Sequence, residues 1–211
     1  GANTELFQPQ PALGAEFRQQ HGLRSDDFVV MYAGIHGIAQ GLDTVLRAAQ
    51  RLRVQDNIRF VMVGEGPVKP ELQQLRSDLG LDNVLMLPEQ PRTSMPAVLS
   101  AADVALVPLR KVELFEHAVP SKLFDAWACG CPVLLSIDGE ARRVLEAANG
   151  GLFAPPEDPP ALAQAISQLA KMPDRGRGLG ANGRRFTVER YSRQAQARQL
   201  EQILLSLIGD W

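Results

Sequence analysis

Residues 28–33 read FVVMYA, an unbroken apolar run that stops at Gly34 and gives way to a helix-like segment over 42–53. The unit recurs at 58–63 (IRFVMV), which ends in Gly64-Glu65-Gly66-Pro67 and leads into a helix ending near Gly80. Further apolar runs at 84–87, 104–107, 132–135 and 151–153 are separated by a small helix before 101, and by helical segments at 121–128 and 140–148. A short helix near 11–22 precedes the series, and helices over 160–171 and after Asp174 close it. A crossover between parallel strands is right-handed and needs a helix to cover the sheet, so this alternation commits the chain to parallel pairing. The runs are apolar throughout rather than alternating, as strands buried on both faces require. The expected fold is a three-layer α/β/α unit with a doubly wound parallel sheet of about six strands, Rossmann-like, whose ligand crevice lies beyond the carboxyl ends of the strands. Function is therefore expected in the loops after Ala33, Val63, Leu87 and Val107.

A chain of 211 residues with 45% hydrophobic and 22% charged side chains is an ordinary folded domain with no room for a long disordered region. Its net charge of −2 supplies no broad positive field, so nucleic acid is not an expected partner and an anionic ligand must be held locally. Cys129 and Cys131 are too close for a relaxed disulfide and one residue short of a CxxC pattern, so they are expected to be small buried residues. No apolar run reaches bilayer length and the start, GANTELFQPQP, has no signal-peptide pattern, which leads to the expectation of a soluble, cytoplasmic domain. Residues 1–10 read as an interdomain linker with an excised start, 11–190 as the ligand-binding domain, and 191–211 as a terminal helix. Leu200, Ile203, Leu204 and Leu207 form a stripe on that helix, destined either for this domain's own sheet or for a partner domain outside the sequence.

Two loops carry the chemistry. Gly34-Ile35-His36-Gly37-Ile38-Ala39-Gln40-Gly41 places three glycines between a strand and a helix, where backbone N–H groups approach a phosphate, or simply turn the chain. Its spacing is neither the dinucleotide fingerprint nor a Walker A loop. The second, Pro120-Ser121-Lys122-Leu123-Phe124-Asp125, opens a helix that Gly130 and Pro132 end. Ser121 is expected to cap it, Lys122 to meet a diphosphate together with free N–H groups and the helix dipole, and Asp125 to accept hydrogen bonds from ribose hydroxyls. A lysine in a first turn opposes the dipole, so it reads best with an anion beside it.

At this point the sequence resembles the carboxyl-terminal domain of the family 4 (group 1) glycosyltransferases of the GT-B fold. NTELFQP resembles the interdomain linker, MYAG with GLDTVLRAA the first strand and helix, FVMVGEGP the second unit, LPEQPRTSMPAVLSAADVALVPL the segment approaching the base, and PSKLFDAWACGCPVL the donor-binding helix. The branch most similar builds bacterial surface polysaccharides, with amino-sugar transferases among its members. The resemblance implies a nucleotide-diphosphate sugar, read as a UDP-sugar, as donor. It further implies transfer with retention to a lipid-linked or saccharide acceptor, no cofactor and no metal. The absence of an Asp-x-Asp pair agrees with the last point. It also implies a missing N-terminal acceptor domain, through which the protein would sit at the cytoplasmic face of the inner membrane.

The implied donor-binding set is Gly34, His36, Gly37, Glu65, Arg92, His117, Pro120, Ser121, Lys122, Leu123 and Asp125, with Lys122 and His117 as candidates for a catalytic role. Three residues lack the charge of the family pattern: His117 stands for the first acid of a pair whose second is Asp125, and Ile35 and Gln40 stand in the places of a basic pair. Lys122 must then carry more of the phosphate charge, aided by Arg92 or Arg110. Glu65 either contacts ligand or tightens its turn. Two other readings remain open: a GT-B enzyme that epimerises rather than transfers, and a binding module with a degenerate site.

Overall fold

The computed structural model describes residues 1–208. A first helix, α1 (Pro11–Gln20), leads to β1 (Phe28–Ala33), α2 (Leu42–Arg51), β2 (Ile58–Val63), α3 (Lys69–Asp78) and β3 (Val84–Leu87). The second half runs α4 (Met95–Ser100), β4 (Val104–Pro108), α5 (Ser121–Ala128), β5 (Val133–Ser136), α6 (Glu140–Ala148) and β6 (Gly151–Phe153), then α7 (Pro159–Lys171), α8 (Arg177–Phe186) and α9 (Arg193–Ile208). All six strands pair in parallel in the order β3-β2-β1-β4-β5-β6. The doubly wound sheet expected from the alternation is therefore present, and its order reverses between β1 and β4, which opens a crevice at their carboxyl ends.

Successive side chains of a strand point to opposite faces, and here both faces are apolar. Val30 and Tyr32 of β1 join Val45, Leu46 and Ala49 of α2 and Ile166 and Leu169 of α7 in one core layer. Val29 and Met31 face the other way, against Phe17 of α1 and Val98 of α4. On the same side of the sheet, Val133 and Leu135 pack with Trp127, Leu145 and Ala148. The α7 helix starts where two prolines and the Asp158 carboxylate, accepting from the Ala161 N–H at 2.9 Å, satisfy an amide group that the first turn leaves free. Cys129 and Cys131 are buried free thiols, and burial raises the Cys129 thiol to about 12.

The elements depart from expectation in detail: β4 runs one residue further than read, to Pro108, and α2 ends two residues earlier, at Arg51. Strand β5 begins and ends one residue later than read, because Pro132 has no N–H to give the ladder. Helix α5 begins at Ser121, with Pro120 in extended conformation as its N-cap and no side-chain cap, so Ser121 is the first helical residue and not the cap. Of the two destinations open to the stripe on α9, its own sheet is not the one taken: Leu200, Ile203, Leu204 and Leu207 are each more than half exposed. The last three residues of the 191–211 segment lie outside the described residues. By contrast the 1–10 segment is docked, with Phe7 buried and Ala2 bridged to Ser192 at the root of α9.

Candidate functional site

At the carboxyl ends of β1, β2 and β3 lies a cleft of about 550 Å³, walled by Ala33, Gly34 and Ile35, by Val63 to Gly66, by Glu89, Gln90 and Arg92, and by Ser121, Lys122 and Asp125 of α5. It falls at the reversal of strand order, since β1 supplies one wall and the helix after β4 the other.

The floor of this cleft is a junction of two glycine loops. Gly34 donates to the Val63 carbonyl at 2.9 Å and His36 to the Glu65 carbonyl at 2.8 Å, while Val68 donates to the His36 carbonyl at 3.1 Å. A side chain at Gly64 would overlap the Gly34 carbonyl oxygen, and one at Gly66 the His36 carbonyl oxygen. The glycines therefore serve first to let the two loops touch. Lys69 locks the junction from behind: its buried ammonium donates to the carbonyls of Gly64 (2.8 Å) and Leu87 (3.0 Å) and to the Glu65 carboxylate (2.6 Å). The Glu65 carboxylate has a role beyond the two open to it in the sequence: it is the counterion of Lys69, at a place where it also lines the cleft.

Removing the ammonium leaves the Gly64 carbonyl without a donor, takes one of two donors from the Leu87 carbonyl, which keeps the Gly64 N–H, and strips the Glu65 carboxylate of its counterion. Lys69→Met is expected to lower stability by about 1–3 kcal/mol, read as a shifted urea midpoint at unchanged slope.

On the opposite wall Lys122 extends across the cleft floor. Its Nζ lies 3.2 Å from the Tyr32 hydroxyl and 4.5 Å from that ring's centroid, and a Cβ added at Gly34 would stand 2.8 Å from it. Among the described residues it has no carboxylate partner. Burial without a counter-charge lowers its pKa to about 8. Asp125, one turn further, faces the Arg92 guanidinium at 3.7 Å, and burial pushes its carboxyl up against the opposing pull of Arg92. Arg92 also lies over the Phe7 ring, 5.0 Å from its centroid, so the segment before α1 contributes to the cleft rim.

Not every expected residue reaches the cleft. His36 is wholly buried behind its loop, with neither ring nitrogen hydrogen-bonded; burial, together with the positive charge of Lys69, lowers its pKa to about 4 and keeps it neutral. Gly37, Pro120 and Leu123 support the walls without lining them, and His117 is exposed on the turn Glu113–His117, also outside the lining. Arg110 cannot aid Lys122, because it is spent on the Ile38 carbonyl and on Asp43 and Glu157. The sequence reading missed Phe7, Gly64, Gly66, Glu89, Gln90, Tyr32 and Lys69. The GEGP turn was a signal for the two glycines; nothing in the sequence singled out Tyr32 or Lys69.

The family model for glycosyl transferases group 1 matches residues 15–186. A GDP-mannose-dependent alpha-(1-6)-phosphatidylinositol monomannoside mannosyltransferase of Mycolicibacterium smegmatis is 27% identical over 208 residues, covering 97% of this chain and 54% of that protein. A putative colanic acid biosynthesis glycosyl transferase of Escherichia coli, WcaI, is 31% identical over 159 residues, covering 74% of this chain and 39% of the relative. Among solved structures, a sucrose-phosphate synthase of Thermosynechococcus elongatus superposes with a TM-score of 0.82 at 28% identity, over 100% of this chain and 52% of that one. Anabaena HepE, solved in complex with UDP-glucose, gives 0.83 at 21% identity, over 98% and 56%, a likeness of fold. The chain thus spans about half the length of such relatives. With its match to the family model running through both halves of the sheet and the cleft between them, the chain belongs to the group 1 glycosyl transferases.

Proposed function

We propose that this chain is the donor-binding half of a retaining, metal-independent glycosyltransferase. In this reading a hexosyl or N-acetylhexosaminyl group passes from a UDP-sugar to a lipid-linked or saccharide acceptor, in the synthesis of lipopolysaccharide, O-antigen or capsule. The observation that carries it is the Lys122 ammonium, uncompensated among the described residues, held at the start of α5 across from Gly34 where the strand order reverses. Free amides at a helix start, the helix dipole and one ammonium meet the charge of a leaving diphosphate, the role a metal ion has elsewhere. Asp125 takes the ribose hydroxyls, and Arg92 with Phe7 flanks the base. No catalytic role is assigned to His117. The colanic acid relative supports the surface-polysaccharide reading.

The acceptor would be held by a second domain, and the exposed stripe of α9 supports its docking there. The Ala2 N–H donates to the Tyr191 carbonyl at 2.8 Å and Arg193 donates back to Ala2 at 3.0 Å, so polypeptide preceding Gly1 would emerge beside the root of α9. Among the described residues no helix is long and apolar enough to cross a membrane. A cytoplasmic enzyme placed at the inner membrane through its other half fits this reading.

Calorimetry with UDP, UDP-glucose, UDP-N-acetylglucosamine and GDP tests the donor. Binding of the uridine nucleotides above GDP is the expected result; preference for GDP would overturn the base, and no binding at millimolar nucleotide would make the cleft a degenerate module. The chain alone is expected not to transfer sugar, because a GT-B reaction needs a closed cleft. Joined to its acceptor half it should, with the product's anomeric configuration, read by NMR, matching the donor's.

A further inference from the structure

Tyr32 is a fully buried member of β1, and packing alone explains only its ring. A phenylalanine would fill the same place between β1 and α2. The hydroxyl calls for a separate reason, and the geometry supplies one. It donates to the Ile35 carbonyl at 2.6 Å, within the loop that forms one wall of the cleft. A phenol has a single proton. With that proton committed to Ile35, the oxygen presents a lone pair to Lys122, whose Nζ donates to it across 3.2 Å. The negative face of the ring adds a second attraction, at 4.5 Å from the centroid. Gly34 closes the other side, since any Cβ there would crowd the same nitrogen at 2.8 Å.

The ammonium is therefore boxed between ring, hydroxyl and Gly34, with one of its three N–H groups used. We propose that Tyr32 is a positioning residue for anion binding. Its hydroxyl couples the loop after β1 to Lys122 and leaves two N–H groups free to meet the diphosphate of a nucleoside-diphosphate ligand. The proposal rests on the donor-binding reading above and adds a residue that never touches the ligand. It explains how one lysine, without the family's basic pair at Ile35 and Gln40, holds a fixed place in the cleft.

The test compares UDP with uridine, which lacks the phosphates, on the wild-type chain, Tyr32→Phe, Lys122→Ala and the double variant, with affinities from NMR titration. Tyr32→Phe is expected to lower UDP affinity about tenfold, an energy of about 1.4 kcal/mol. It should leave uridine affinity unchanged and cost less than twofold once Lys122 is absent, because coupled residues are not additive. An equal loss for UDP and uridine, an equal loss in both backgrounds, or no loss of UDP affinity would each overturn it. A second readout needs neither nucleotide nor the Tyr32 variant. With [13Cζ]-tyrosine the chain shows two ring signals, Tyr32 and Tyr191, and the Tyr32 signal should move when Lys122 becomes alanine. An unmoved signal overturns the positioning role even if UDP does not bind, so the two readings fail separately.

Discussion

Lys122→Ala is expected to lower UDP affinity by about 100-fold while leaving the empty chain at least as stable as before. The two effects have opposite signs for one reason. Without ligand the ammonium is part-buried with no carboxylate partner among the described residues, and desolvation lowers its pKa from 10.5 to about 8. A group whose pKa is lowered on folding binds fewer protons in the folded state than in the unfolded one. Stability therefore rises with pH between about 8 and 10.5 and is lowest, on this account, where the lysine is charged. Removing the side chain removes that penalty. Ligand reverses the balance, because two phosphates supply the missing counter-charge and favour the protonated form. Wild-type affinity should thus fall as pH rises above about 8, by up to about tenfold per pH unit, whereas Lys122→Ala should be flat over the same range. Calorimetry from pH 6.5 to 9.5 reads both, and thermal unfolding reads the stability. An affinity of the variant within a few-fold of wild type would remove Lys122 from the phosphate site. A destabilised variant would instead mean that Lys122 is part of the scaffold.

Strands and their helical crossovers are legible because each rests on a local signal, an apolar run or a glycine, that tertiary contacts seldom override; the place where the strand order reverses rests on pairing between distant segments and is read from the structure. Four of the six strands have the bounds read from their apolar runs. Ser121 reads as a cap because a serine at a helix start usually is one. Here the extended Pro120 sets the entry and leaves Ser121 inside the first turn. Tyr32 was hidden for a different reason: within FVVMYA it is one more large residue, and only the approach of α5, 90 residues later, gives its hydroxyl a second partner. The same holds for Lys69, which in sequence is a charged residue at a helix start and in space is the buried clamp of two strand ends. His36 shows the converse, a residue whose place in a glycine loop suggested a ligand contact and whose ring lies wholly buried behind that loop. The terminal stripe was legible as a stripe but not as exposed, since a helical period states which face is apolar and not what covers it.

The glycines of the second loop have a cause of their own. Gly64 and Gly66, in the GEGP turn, are required before any ligand arrives, because the loops after β1 and β2 touch through their backbones. Gly64→Ala should therefore cost about 3–5 kcal/mol. It places a methyl group on the Gly34 carbonyl oxygen, which belongs to backbone and cannot rotate away, at a φ of +150 that side chains rarely adopt. Gly80→Ala is the control for left-handed strain without a clash: its φ is +59 and a Cβ there meets nothing within 4 Å. Such strain predicts a loss of about 1 kcal/mol for Gly80→Ala, and the excess at Gly64 combines the loop contact with its costlier backbone conformation. For a chain of this length the Gly64 variant should melt roughly 10 °C lower, with the Gly80 variant within about 4 °C of wild type. Because Gly64 donates to Leu87 at 3.2 Å while Lys69 grips its carbonyl, the displaced loop also carries the cleft wall with it. UDP affinity should then fall at temperatures where the variant is still folded. If the two alanine variants lost equal stability, the loop junction would not be what requires glycine at position 64.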